Sequence, residues 1–196
     1  MTGGGVPSVA GLMGGRPFYF LRHGESTANA AHVIAGWGDF ELTERGREEA
    51  RRAAALLRGL PIRSVVSSTM RRAHDTAVPA AKVLGLSSVV VVEGLQERNW
   101  GVMEGRSMNE RPEELMDPPP EGAESWEEFR DRVTAALASI TAPAPVLVVG
   151  HAGNMRVLRN VLCRDPGWRE RYANGAPVRF DPPASPDAAW TWQPLA

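Results

Sequence analysis

Arg22 and His23 stand side by side at the end of an apolar run, Phe18-Tyr19-Phe20-Leu21, and Gly24 follows them. Arginine presents a planar fork of donors that suits phosphate or carboxylate. Histidine can serve as nucleophile, base or metal ligand near neutral pH. Glycine lets backbone approach a bound group closely. Two further clusters of the same kind occur: Ser67-Ser68-Thr69-Met70-Arg71-Arg72, and Gly150-His151-Ala152-Gly153. Each follows a short apolar run, Val65-Val66 in one case and Val146 to Val149 in the other. Carboxylates within reach of such a site are Glu93, Glu97 and Glu104.

The elements that must position these groups alternate in type. Apolar runs at Phe18–Leu21, around Val65-Val66, at Val89–Val92 and at Val146–Val149 read as four buried strands. Between them lie helical patterns. One is capped at Thr43 and ended by Gly59-Leu60-Pro61, and a second runs from about Met70 to Leu84. A third opens on the capping box Ser125-Trp126-Glu127-Glu128 and carries Trp126, Phe129, Val133, Leu137 and Ile140 at helical spacing. A fourth spans Asn154 to Cys163. Weaker strand patterns near Val178–Phe180 and Trp190–Trp192 suit a sheet edge. The alternation predicts a single-domain α/β sandwich of three layers, a mostly parallel sheet with helices on both faces. In such a sheet the polar clusters leave the carboxyl ends of their strands at one rim, where ligands bind.

Length and composition narrow the function. At 196 residues the chain suits one domain, expected over 17–196, with Gly-rich residues 1–16 expected as a disordered tail. Lysine plus arginine number 22 against 23 acidic residues, so no basic field for nucleic acid or a membrane surface arises and anion recognition must be local. No apolar run approaches the roughly 18 residues that span a bilayer. One cysteine, Cys163, excludes an internal disulfide, and a reducing cytoplasm is the expected location.

With its motifs laid out in order, the chain resembles the histidine phosphatase superfamily, the phosphoglycerate mutase-like fold. Arg22-His23-Gly24-Glu25-Ser26-Thr27-Ala28-Asn29 matches the family's Arg-His-Gly-Glu-x-x-x-Asn, and Leu42-Thr43-Glu44-Arg45-Gly46 its Leu-Thr-x-x-Gly. The stretch from Ser68 to Ala77 matches Ser-x-x-x-Arg-Ala-x-x-Thr-Ala, with the arginine at Arg72. Leu95-Gln96-Glu97 with Gly101 and Glu104-Gly105 matches the acid segment, and Val149-Gly150-His151 the second histidine. The resemblance implies a catalytic set of His23, Glu97, His151, Arg22 and Arg72. His23 would carry the phosphoryl group, Glu97 would exchange protons with the leaving group and water, and the other three would surround the phosphoryl oxygens. It further implies secondary phosphate or substrate contacts at Asn29, Gly36, Ala152 and Gly153, with Arg98 and Trp100 at the substrate entrance beside Met103, Arg106 and Met108. No cofactor and no metal are implied. The implied partner is a small phosphorylated substrate, with at most a second copy of the chain beside it.

Departures from the mutase pattern decide the branch. Asn99 and Trp100 stand where the mutases carry His-Tyr, Met108 falls where they carry a lysine, and no Arg-Arg pair follows. Pro120-Glu121-Gly122-Ala123-Glu124-Ser125 is similar to the Gly-Gly-Glu-Ser of small phosphatases, with Ala123 at the second glycine. A phosphatase of small metabolites is therefore expected, with mutase-type transfer or a non-catalytic interaction protein as the alternatives. Neighbouring residues on a helix point roughly 100° apart, so Arg71 is expected at the surface when Arg72 faces the site. His32 and His74 are expected to be structural or exposed.

Overall fold

The computed structural model describes residue 13 and residues 15–165, 167, 170–185 and 188–195. The expected tail therefore lies outside the described residues except for Met13, Gly15 and Arg16, of which Met13 packs on the core. Six strands form one sheet: β1 (Phe18–Arg22), β2 (Ser64–Ser67), β3 (Val90–Val91), β4 (Val146–Gly150), β5 (Pro177–Asp181) and β6 (Thr191–Pro194). Their order is β3-β2-β4-β1-β5-β6. Strands β3, β2, β4 and β1 pair in parallel, and β5 is antiparallel to both β1 and β6. The helices are α1 (Thr27–Ala30), α2 (Glu44–Leu56), α3 (Arg71–Val83), α4 (Trp126–Ala138) and α5 (Ala152–Cys163).

Period-two alternation along the central strands divides the core between the two faces. Phe18 and Phe20 of β1 join Val146 and Val148 of β4 under Phe129 and Val133 of α4 and Leu158 of α5. Tyr19 and Leu21 join Leu147 and Val149 on the other face, under Ala53 and Ala54 of α2 and Ala77 and Ala80 of α3. Alanines form the helix side of this face, and α2 packs against α3 while α3 packs on β2 and β4. The expected three layers and mostly parallel sheet are present.

The third strand departs from expectation. Val90 and Val91 are 46% and 47% exposed, although their apolar run predicts burial. β3 pairs only with β2 and forms the sheet edge, so half of its surroundings are solvent. A four-valine run reports strand tendency but not the number of neighbouring strands.

Helix starts follow the capping signals. Thr43 Oγ1 accepts from the Gly46 amide at 3.0 Å, and Ser125 and Glu128 form the reciprocal box at the start of α4. Gly46 has a second role. A methyl group on it would lie 2.0 Å from the Glu25 carbonyl oxygen, and one on Gly24 would lie 2.2 Å from the Gly46 oxygen. Two backbones therefore touch where the turn after β1 meets the first turn of α2. Gly46→Ala must push them apart, and overpacking of this kind costs about 1–3 kcal/mol. The expected result is a lower urea midpoint with an unchanged m-value; an unchanged midpoint would show that the contact yields freely.

Candidate active site

β1 delivers His23 to the carboxyl rim, where its amide donates to the Gly150 carbonyl of β4 at 2.9 Å. The same parallel register sets Arg22 opposite Gly150, so the two histidine-bearing turns emerge side by side. The rings of His23 and His151 lie 5.2 Å apart, edge to face. Gly24 then turns the chain, its amide donating to Thr76 Oγ1 at 3.0 Å, which ties this turn to α3. Thr76 in turn donates to the Arg72 carbonyl at 2.8 Å.

His23 Nδ1 lies 2.7 Å from the Gly24 carbonyl oxygen. A carbonyl can only accept, so Nδ1 carries the proton and Nε2 keeps its lone pair in the neutral ring. The ring does stay neutral: burial, then the charges of Arg22 and Arg72, hold His23 well below the usual 6.5. His151 is held down by burial, then by Arg72 and His23. Its Nε2 is 3.0 Å from Ser68 Oγ, and its buried Nδ1 has no hydrogen-bond partner among the described residues.

Arg22 donates to the Tyr172 carbonyl, and its buried Nε has no hydrogen-bond partner among the described residues. Burial lowers it to about 10, with Glu97 opposing that shift and Arg156 and Arg72 adding to it, so it remains charged at neutral pH. Arg72 is 1% exposed and donates to the carbonyls of Gly38 and Gly36 at 2.7 and 2.8 Å. Its Nε is likewise buried without a hydrogen-bond partner among the described residues. Arg71, as expected, lies at the surface and pairs with Glu41 and Asp75.

Glu97 sits at the first turn of α5. One carboxylate oxygen accepts from the Gly153 amide at 3.2 Å and the other from the Arg98 amide at 3.0 Å. A methyl on Gly153 would lie 2.0 Å from that carboxylate, so only glycine leaves room for it. The backbone of this loop is clamped from outside. Arg132 donates to the carbonyls of Gly94, Gln96 and Glu97, and its fork grips both oxygens of Glu124 at 2.7 Å. Trp37 Nε1 also donates to the Glu97 carbonyl, at 2.8 Å.

A cavity of about 530 Å³ opens over this group. Arg22, His23, Arg72 and Glu97 line it, with Asn29, Gly36, Ala152, Gly153, Trp100 and Met108. His151 lies behind its wall, fully buried and against His23. Asn29 caps α1, and its side-chain oxygen accepts from Ser26 and Asn174, leaving its amide nitrogen for a ligand. The Gly153 amide, expected on phosphate, is engaged by Glu97 instead.

Arg98 does not line the cavity. It is 1% exposed and donates to the backbone carbonyls of Glu114 and Glu124. Its guanidinium stacks 4.4 Å from Trp100, with Arg111 at 4.7 Å from the same ring. Arginine after the acid reads as a substrate contact only while the fold of the following loop is unknown. Met103 and Arg106 are also absent from the lining, and Glu104 binds the backbone amides of Trp37 and Trp100. His32, exposed and without a matched role in the motifs, also lines the cavity.

Sequence reasoning missed the wall formed by Arg156, Arg171, Tyr172 and Asn174. Asn174 Nδ2 donates to the His23 carbonyl at 2.9 Å. A signal existed for Arg156, which lies one helical turn beyond Ala152 on the same face. None existed for 171–174, an irregular segment past the last matched motif.

The arrangement defines an enzyme that works on phosphoryl groups: an available imidazole nitrogen, buried guanidinium groups and the Glu97 carboxylate meet at one cavity. Residues 18–177 match the family model of the histidine phosphatase superfamily, branch 1, and the chain belongs to that family as a phosphatase. It is 32% identical over 167 residues to the probable phosphoglycerate mutase GpmB of Escherichia coli O1:K1, covering 78% of this chain and 77% of that one. A mycobacterial glucosyl-3-phosphoglycerate phosphatase solved with VO3 superposes with a TM-score of 0.75 at 27% identity, over 92% of this chain and 98% of that one. A phosphoglycerate mutase from Thermus thermophilus gives 0.71 at 28%, over 92% and 98%. No helix among the described residues is long and apolar enough to cross a membrane.

The neutral histidines set a pH dependence of stability. In the unfolded chain both titrate near 6.5, so below that pH the unfolded state binds up to two more protons than the folded state. Stability is then fully present above about 6.5 and falls as the pH drops, by up to about 2.7 kcal/mol per pH unit. Urea unfolding between pH 7 and 5.5 should show this slope, and His151→Gln should roughly halve it. A flat profile would mean that the rings take up protons in the fold.

Proposed function

We propose that this protein is a metal-independent phosphomonoesterase that hydrolyses a small phosphorylated metabolite through a phosphohistidine on His23. The observation that carries the reading is the bond from His23 Nδ1 to the Gly24 carbonyl, which leaves Nε2 unprotonated in the cavity wall. Nε2 attacks phosphorus as the ester P–O bond breaks, and Glu97 gives its proton to the departing alkoxide. Water then attacks the phosphohistidine, Glu97 takes back a proton, and inorganic phosphate leaves. Arg22 and Arg72 hold the equatorial oxygens, the work that Mg²⁺ does in other phosphoryl-transfer sites, and His151 backs His23 from behind the wall.

Hydrolysis is preferred over mutase-type transfer because Asn99 and Trp100 replace the expected His-Tyr. Trp100 is locked between Arg98 and Arg111, which ties that stretch to the fold. Compartment follows the same reading: the lone Cys163 and small metabolites suit a reducing cytoplasm.

Acid quench of wild type during turnover of p-nitrophenyl phosphate, with EDTA present throughout, should trap a phosphorylated protein. His23→Ala should lose that label and at least 10³-fold of kcat, the scale set by losing a nucleophile. Turnover in His23→Ala within tenfold of wild type would refute covalent catalysis, and loss of wild-type activity to EDTA would refute metal independence.

A second test separates proton transfer from phosphoryl clamping. Nitrophenolate leaves without a proton and an alkoxide does not, so Glu97→Gln should lower kcat/KM about 10² to 10⁴-fold more for an alkyl phosphate than for p-nitrophenyl phosphate. Arg72→Ala should lower both alike, because it acts on the group common to them. Equal losses in Glu97→Gln would move the acid elsewhere, and Glu104 would be the next to replace.

A further inference from the structure

We propose that Arg159 is a positioning residue for phosphoryl transfer: from behind the cavity wall it fixes Tyr172, whose backbone carbonyl in turn fixes the Arg22 guanidinium. The role rests on the phosphatase reading only for the identity of the group that Arg22 receives. Arg159 lies on α5, about 10 Å along the helix axis from Ala152, and does not itself line the cavity. Tyr172 carries both contacts. Its carbonyl accepts from Arg22, and its hydroxyl accepts from Arg159 Nη1 at 3.0 Å.

Residues 170–175, between α5 and β5, form neither helix nor strand. They nevertheless touch the phosphoryl site at three points. Tyr172 meets Arg22, and Asn174 donates to the His23 carbonyl at 2.9 Å and to Asn29 at 3.1 Å. Away from the site, the same stretch is tied to one cation. Arg159 pairs with Glu170 and with Asp165, and its guanidinium carbon lies 5.8 Å from the Tyr172 ring and 5.1 Å from that of Trp192. Gly167 completes the cluster: a methyl on it would lie 2.5 Å from Arg159 Nη1 and 2.6 Å from the Tyr172 hydroxyl.

Burial decides which partner is the anchor. The Arg159 side chain is 4% exposed, whereas those of Asp165 and Glu170 are 54% and 51% exposed. Water can serve both carboxylates but not the guanidinium, so the arginine draws the chain onto itself. Deleting the carboxylates would strand a buried charge, while replacing the arginine with methionine returns both acids to water. At the far end of Tyr172 the effect is directional. Arg22 is held by its Nη1, and its Nε stays buried without a hydrogen-bond partner among the described residues. A guanidinium fixed at one nitrogen meets phosphoryl oxygen in one orientation, on which a charge-assisted fork depends.

Orthovanadate, a mimic of the five-coordinate transition state, reads the orientation of Arg22 without turnover. Calorimetry on wild type, Arg159→Met, Arg22→Met and the double variant forms a closed cycle. Arg159→Met should weaken orthovanadate about tenfold, the scale of one hydrogen bond to a charged group, and Arg22→Met should weaken it further. The double variant should bind within about twofold of Arg22→Met, because Arg159 acts through Arg22. Arg159→Lys, which keeps a cation for the two acids, should recover part of the loss. Losses that multiply in the double variant would separate Arg159 from Arg22 and overturn the proposal, as would wild-type affinity in Arg159→Met. Thermal melts establish that each variant is folded. Should Arg159→Met not fold, Tyr172→Phe, which deletes only the hydroxyl, takes its place in the cycle with the same expected and overturning results on a smaller scale. Failure of wild type to turn over p-nitrophenyl phosphate, with the coupling intact, would remove the phosphatase mechanism and leave the positioning of Arg22 standing.

Discussion

The structure depends on keeping two imidazoles uncharged beside two buried guanidinium groups. Three of them meet solvent only through the cavity, and His151 is fully buried. Burial and the neighbouring arginines together remove the proton from His23, and the Gly24 carbonyl then decides which nitrogen remains basic. The sheet supplies the rigidity that this requires. β1 and β4 run in parallel register, so the two histidine turns leave the same rim next to one another. The close approach of Gly24 to Gly46 seats the first turn on α2, and Thr76 seats it on α3.

Glu97 is positioned by a different logic. Glu97 lies on a loop without regular structure, yet its backbone is as constrained as a strand. Arg132 binds three carbonyls of the loop and is itself locked by Glu124, while Trp37 adds a further donor to Glu97. Glu124 and Arg132 belong to the start and middle of the α4 region, so the helix that covers one face of the core also aims Glu97. The Glu-Ser pair that resembles small phosphatases thus has a mechanical reason: Ser125 starts the helix and Glu124 anchors the clamp.

Much of this was legible in the residues. Apolar runs marked the strands, Thr43 and Ser125 marked helix starts within a residue, and the five groups of the catalytic set lie together in space. The failures share a cause, which is that a linear pattern does not report what surrounds it. Val90 and Val91 read as buried because the run does not say that only one strand will flank it. Arg98 reads as a substrate contact because its place after the acid does not reveal backbone carbonyls folding over it. Gly46 reads only as the last residue of a motif, and the structure shows that its part is the absence of a side chain against Glu25. The wall from Arg171 to Asn174 has no periodicity or motif to announce it.

That wall has a consequence for how the protein is made. The partners of Arg22 and His23, Tyr172 and Asn174, lie 150 and 151 residues further along the chain. β1 itself waits for β4 on one side and β5 on the other before it has any neighbour. A nascent chain therefore carries His23 on an unpaired apolar strand until β4 is made, and contacts this distant form late. His23 is made long before the residues that complete its surroundings, so a chain terminated before the last strands leaves β1 without its β5 neighbour.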